Sequence, residues 1–198
     1  MQRIKHTKNE LKAQREALRR FQRFLPTLEL KKQQLQMEVR RLQIAIEECG
    51  ARLAELNARV GPWVRLFSED VRLDERLPEY HVRVKDTNIA GVSVPVFAGV
   101  DIKRKAYDLH GTPPWIDDGI EAVGGLVALG AEMAVLSRAH ALLSEELRTT
   151  SQRVNLFEKV KIPEARENIR VIRIFLGDEQ TASVARAKLA KGRLVAAL

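Results

Sequence analysis

The chain has 198 residues, of which 45% are apolar but only 5% aromatic, and 30% are charged. That is enough apolar material for one domain with a core, made mostly of aliphatic side chains and alanine, which favours helices over an aromatic-rich sandwich or barrel. Thirty-four Lys+Arg against 26 Asp+Glu leave a net charge of +8, and a single cysteine excludes an internal disulfide and a multi-cysteine zinc site.

The positive excess belongs to the first 60 residues, which hold 14 Lys+Arg and 7 Asp+Glu. Strict alternation of 3- and 4-residue steps from Ile4 to Val60 visits 17 positions. Fourteen are apolar: Ile4, Leu11, Leu18, Phe21, Leu25, Leu28, Leu35, Val39, Leu42, Ile46, Cys49, Leu53, Leu56 and Val60. Thr7, Gln14 and Lys32 are the exceptions. Eight heptads in register predict a coiled-coil helix about 85 Å long, with a left-handed supercoil. Pro26 conflicts with it and predicts a bend or interruption near Arg23–Phe24.

Gly61-Pro62 predicts the end of that helix. Tyr80, Val82 and Val84 alternate with His81, Arg83 and Lys85 as a half-buried strand does. Asp86-Thr87-Asn88 supplies a turn, and a second strand over 89–97 puts Val92, Val94 and Val96 on one face, with Pro95 confining it to an edge. A second long helix begins at Asp117-Asp118, with Asp118 as N-cap and Glu121 three residues later. Its stripe runs through Leu129, Met133, Leu136, Leu143, Leu147, Val154 and Phe157, with His140 and Thr150 at two further seam positions. Pro163 predicts a kink, after which Ile169, Ile172 and Leu176 resume the stripe.

The fold class is therefore mainly α: a long antiparallel two-helix coiled coil with a small central β-hairpin insert. Its segments are an N-terminal coiled-coil helix over 1–61, an insert over 62–115, and a C-terminal coiled-coil helix over 116–198. Pairing within one chain is expected to set Leu18 against a residue between Ile172 and Leu194. No uncharged stretch approaches the ~20 apolar residues of a bilayer span, and no apolar leader core follows Met1.

Catalytic signals are weak. Gly124-Gly125 and Gly130 lack the Gly-Lys-Ser/Thr of a phosphate loop and read as small residues at a close helix contact. His6, His81, His110 and His140 have no ligand spacing, and Cys49 reads as a buried small hydrophobe. Glu145-Glu146 and Asp117-Asp118 point in different directions on a helix. No catalytic, cofactor-binding or metal residues are assigned. The strip Lys5, Lys8, Lys12, Arg15, Arg19 and Arg23 fits a solvated coiled-coil flank or an acidic protein partner. Nucleic-acid binding lacks stacking aromatics and a reader fold. A coiled-coil scaffold or a DNA-binding coiled coil remains the alternative reading.

Four segments carry a resemblance: Thr7-Lys8-Asn9-Glu10-Leu11; the run from Phe24-Leu25-Pro26-Thr27-Leu28 to Leu35; Asn88-Ile89-Ala90-Gly91-Val92-Ser93-Val94-Pro95; and the run from Glu146-Leu147-Arg148-Thr149-Thr150-Ser151-Gln152-Arg153 to Pro163. In this order they resemble the D subunit of the V/A-type proton or sodium ATPases, and Leu25-Pro26-Thr27-Leu28 is most similar to the bacterial V-type branch. His6 departs from the proline that many members carry before Thr7.

The resemblance implies a non-catalytic central rotor shaft without cofactors. Both termini would enter the ring of catalytic A and B subunits, a small F subunit would dock on the shaft, and a C/d-type socket subunit over the membrane ring would hold the far end. Arg3, Lys5, Lys8, Lys12, Arg15, Lys188, Lys191 and Arg193 would then face the catalytic head, close together if the termini meet. The location implied is cytoplasmic and peripheral, on the inner face of the membrane, with no bilayer insertion.

Overall fold

The structure is a computed structural model that describes residues 4–69, 79–103 and 111–196. Helix α1 spans Lys8–Val60, a 3-10 helix follows over Gly61–Ser68, strands β1 and β2 cover Glu79–Ile89 and Val92–Lys103, and α2 covers Ile116–Leu156. A π-helical turn, Phe157–Lys161, connects α2 to α3, Ile162–Ala196. The described chain is two long helical stretches with a two-stranded antiparallel hairpin between them. It divides into two compact units, residues 1–32 with 149–198, and residues 33–148.

In the unit of residues 33–148, α1 and α2 pair antiparallel. Cys49 Sγ donates to the Leu129 carbonyl at 3.5 Å, and Arg52 forms a 2.9 Å ion pair with Glu132. Leu35, Leu143, Ala139 and the hairpin residue Val94 make the buried cluster, with Val39, Leu42, Ile89, Val92 and Leu147 packed around it. A Cβ added to Gly125 would come within 3.0 Å of Leu56 Cδ2, and one on Gly124 within 3.7 Å of Ile102. Gly125 is thus a close-contact glycine, whereas a Cβ on Gly124 would make only ordinary van der Waals contact. Gly130 makes neither contact: nothing lies within 4 Å of its Cβ position, and it faces solvent.

The hairpin lies along α2. Its base meets Gly124 through Tyr80 and Ile102, and its tip meets Leu143 through Val94. The nineteen helical steps from Gly124 to Leu143 and the nine strand steps from Tyr80 to Ile89 both cover about 30 Å, so the two elements match in length. Tyr80 and Ile102 are cross-strand partners on one face, whereas Ile89, Val92 and Val94 belong to the other. Both faces touch helix because a two-stranded ribbon twists strongly. The bulge between Arg83 and Val84, opposite Ala98 and Gly99, adds to that twist.

The reversal of the hairpin falls at Ala90-Gly91, not at Asp86-Thr87-Asn88, and β2 extends beyond Phe97 to Lys103. Ala90 and Gly91 have φ of 52° and 84°, the two left-handed residues of a tight hairpin turn whose twist matches the strands. The Gly91 amide donates to Asn88 Oδ1 at 2.9 Å. Asp86 instead pairs with Pro95, within the ladder.

Trp63, Phe67 and Trp115 form an aromatic cluster below the hairpin. Trp63 stacks on Phe67 at 5.5 Å, and Phe67 meets Trp115 edge-on at 5.1 Å. Their indole nitrogens donate to the Arg59 carbonyl and to Glu69 Oε2. A Cβ on Gly119 would collide with the Trp115 ring at 3.0 Å. Helix α2 starts at Ile116, ahead of the expected Asp118 cap: the Gly119 amide bonds to the Trp115 carbonyl at 2.8 Å. Asp117 and Asp118 lie in the first turn, where negative charge opposes the positive end of the helix dipole.

In the unit of residues 1–32 and 149–198, α1 pairs antiparallel with α2 and α3. His6 meets Phe175 with tilted rings (4.7 Å), Asn168 donates to Gln14 Oε1 (3.4 Å), and Phe21 meets Phe157 (5.1 Å). These pairs bracket Leu18 and set it against the Ile162–Ala165 level, not between Ile172 and Leu194. Gln14, an exception in the heptad count, has a polar partner across the pair, an arrangement that selects one register.

Both prolines behave differently from the expectation. Helix α1 runs through Pro26 without interruption, because Pro26 and Gln22, whose carbonyl loses its donor, both face solvent. Pro163 is the second residue of α3 and follows directly on the π turn, so the irregularity lies just upstream of it, in that wide turn.

Candidate partner-contact surfaces

Thr7 caps α1. Its Oγ1 accepts the Glu10 amide at 3.2 Å and its carbonyl accepts the Leu11 amide at 3.0 Å. The signal was present as Thr7-x-x-Glu10, a capping box, although Glu10 turns its carboxylate to Gln14 Nε2 at 2.9 Å instead of back to Thr7. The cap fixes where α1 begins, and so where the basic strip begins.

Lys5, just ahead of the helix, and Lys8, Lys12 and Arg15 within it are exposed. Lys12 and Glu16 stand 4.0 Å apart with side chains 80% and 59% exposed, a pair too wet to neutralise the strip. Lys188, Lys191 and Arg193 are also exposed, on α3. Arg3 lies outside the described residues.

The structure does not bring the two groups together. His6 sits at Phe175, so Lys188 lies 13 helical residues, about 20 Å, farther along α3. From Gly177 to Arg193 every side chain of α3 is exposed, including Val184 at 56% and Leu189 at 66%. Antiparallel pairing requires this overhang: α1 runs out before α3 does.

The sixteen seam residues fall on the facing sides of the helices. Leu35, Val154 and Ile172 are buried. Leu11, Leu18, Phe21, Leu25, Leu28, Val39, Leu42, Ile46, Leu53, Leu56, Leu147, Phe157 and Leu176 are half-buried. Cys49 is fully buried; burial first, and the Glu132 charge second, push its thiol above the usual value of 9.0, against the opposing Arg52. A nucleophilic role needs the reverse shift.

One surface escaped the sequence reading. Met37 and Ile44 are 64% and 56% exposed and share a shallow groove with Arg40, Arg41 and Glu48 on the outer side of α1. They stand seven residues apart, opposite the seam, and that spacing was the available signal. A larger open groove is lined by Leu56, Val60, Trp63, Ile102, Gly124 and Gly125, with Arg59, Asp118 and Glu121 also lining it. Among the described residues no three His, Cys, Asp or Glu side chains gather as metal ligands. Within Ile116–Arg193 one 18-residue window reaches a mean hydropathy of 1.6, long and apolar enough to cross a membrane by composition alone.

Antiparallel helix pairs, a docked hairpin and exposed basic and apolar faces define a helical interaction subunit. The family profile described as that of the ATP synthase D subunit matches residues 10–192, and the chain belongs to that family. The V-type ATP synthase D subunit of Borreliella burgdorferi is 43% identical over 195 residues, covering 98% of this chain and 96% of its own. Those of Chlamydia muridarum and Chlamydia pneumoniae are 38% and 36% identical, each covering 96% of this chain. The chain is thus a non-catalytic stalk subunit of a V-type rotary ATPase.

Proposed function

We propose that this chain is the rotating central shaft of its complex. It would carry torque between the ring of catalytic A and B subunits and the ion-translocating ring in the membrane. The observation that supports the reading most is the overhang of α3, a basic, exposed, unpaired helix end beside a paired helical body. Such an end fits a bearing inside a ring, where it touches three similar neighbours in turn and locks to none.

No chemistry from this chain is needed. Nucleotide binding and hydrolysis change the shapes of the A/B pairs in sequence, and each shape prefers one shaft orientation. The helix pair converts that preference into rotation because its seam resists deformation, each fully buried Leu, Ile or Val contributing about 1.5–3 kcal/mol. Exposed ion pairs of ~0–1 kcal/mol give the head many weak contacts and no strong one. The small F subunit would cover the Met37–Ile44 patch, and the C/d-type socket subunit would receive the end bearing Trp63, Phe67 and Trp115. The location is peripheral, on the cytoplasmic side of the membrane, without bilayer insertion or nucleic-acid contact.

The test replaces Lys5, Lys8, Lys12 and Arg15 together by Gln, and separately Lys188, Lys191 and Arg193. None of these sits on the seam, so helicity is retained. Affinity for the reconstituted A/B ring falls in each variant, and the difference from the parent is widest at low salt, where the attraction is least screened. Unchanged affinity and rotation at every salt concentration refute a role for these charges in the head.

A further inference from the structure

We propose that the π turn at Phe157–Lys161, with Pro163 behind it and Pro26 across the pair, is a compliant joint where the helix pair twists and bends more easily than in the turns on either side. The joint goes beyond the shaft reading, and its first test does not depend on it.

The seam shows the irregularity before the hydrogen bonds do. From Leu143 the seam advances through half-buried Leu147, buried Thr150 and Val154, and half-buried Phe157, in steps of four and three. The next 3-4 positions would be Lys161, Glu164, Asn168, Val171 and Phe175, but the buried set is Ile162, Ala165, Ile169 and Ile172, followed by half-buried Leu176. One residue has been inserted. Helix α1 has no matching insertion, since its seam keeps strict 3-4 steps from Leu11 to Val60. The extra residue is absorbed in the wide turn: the Ile162 amide donates to the Phe157 carbonyl, five residues back instead of four.

Three features weaken the backbone there. Pro163 has no N–H to offer the Lys159 carbonyl, and Pro26 none for Gln22. Phe21 meets Phe157; Pro26 lies five residues, about 7.5 Å, from Phe21 in the direction of Thr150, and Pro163 lies six residues, about 9 Å, from Phe157 in the opposite direction, so the two gaps flank this contact on either side. Packing compensates little, because Phe157 and Lys161 are only half-buried and the three residues between them are exposed. Leu156 and Val160 are 44% and 48% exposed, and Phe24 on α1 is 53% exposed. Elastic yielding collects where i to i+4 bonds and buried contacts are both missing. One helix carries the inserted residue and the other a solvent-facing proline, so the joint is asymmetric.

The test is hydrogen exchange on the intact chain and on a variant lacking Val160, which restores the 3-4 seam across the turn. In the parent, amides of residues 157–162 are expected to exchange roughly five- to tenfold faster than those of the turns around Thr150 and Ile169, the effect of about one missing backbone bond on local opening. In the deletion variant the difference closes. A spin-label pair at Arg153 and Arg170 gives a second readout, with a broader distance distribution in the parent than in the variant. Exchange in 157–162 as slow as in the neighbouring turns overturns the joint. So does a Pro163→Ala variant, which refills the missing donor without altering chain length, that exchanges there no more slowly than the parent. Loss of ring assembly would count against the shaft reading and leave these measurements as they are.

Discussion

Truncating Val94 to Ala tests whether the hairpin tip is part of the core. Val94 is 1% exposed and shares a cluster with Leu35, Ala139 and Leu143. The substitution removes two methyl groups at ~0.8 kcal/mol each and leaves a small cavity, for a loss of about 1.5–2.5 kcal/mol. Leu35→Ala, at a fully buried position, costs about 3–5 kcal/mol. In a protein of this size each kcal/mol moves the melting temperature by about 2–4 °C, so Val94→Ala lowers it by roughly 3–10 °C. The two tryptophans, Trp63 and Trp115, sit in the same unit and report its unfolding by fluorescence. Because Leu35 and Val94 pack together, the double variant is non-additive by about 0.5 kcal/mol or more. A shift below about 1 °C for Val94→Ala, with Leu35→Ala behaving as stated, would mean that the hairpin hangs free and the cluster belongs to the helices alone.

Glycine replacements separate by site. Gly130→Ala, exposed in mid-helix with open space around its Cβ position, stabilises by about 0.5–1 kcal/mol, whereas Gly119→Ala destabilises through the Trp115 ring; thermal melts compare them. With Cys49 replaced by Ala, cysteines at Leu18 and at Ile162 or Ala165 cross-link within one chain, and none forms with a partner between Ile172 and Leu194; reducing and non-reducing gels decide. Cys49 reacts slowly with thiol reagents in the folded chain. Its raised folded pKa means that the unfolded thiol ionises first, so its contribution is complete below about pH 8.5 and declines as pH rises towards the folded value. Cys49→Ala flattens that alkaline decline, which urea titrations at pH 8 and pH 10 measure.

Much of the architecture is local in origin, and local physics is legible in sequence. The 3-4 stripe along α1 makes a helix with one apolar side, Gly61-Pro62 ends it where the 3-10 helix begins, and Thr7 and Glu10 mark its start. Alternation over Tyr80–Lys85 gives a strand for the same reason, since side-chain period is a property of the backbone. The sequence also placed Cys49 and Gly125 in close contacts, because both fall on or against the stripe.

Tertiary structure decided the rest, and mostly for one reason: a periodic seam does not specify its own register. Sliding one helix by a heptad keeps every Leu facing a Leu. Gln14 with Asn168, Arg52 with Glu132, and Gly125 against Leu56 choose among the slides, and each pair joins residues about 70 to 155 positions apart in the chain. That choice moved the partner of Leu18 to the Ile162 level and parted Lys5 from Lys188. The turn at Ala90-Gly91 won over Asp86-Asn88 because burying Ile89, Val92 and Val94 on the helices needs the longer strands. The one-residue slip after Phe157 was present in the letters, but it became a π turn only because α1 offers a continuous seam that α3 must rejoin.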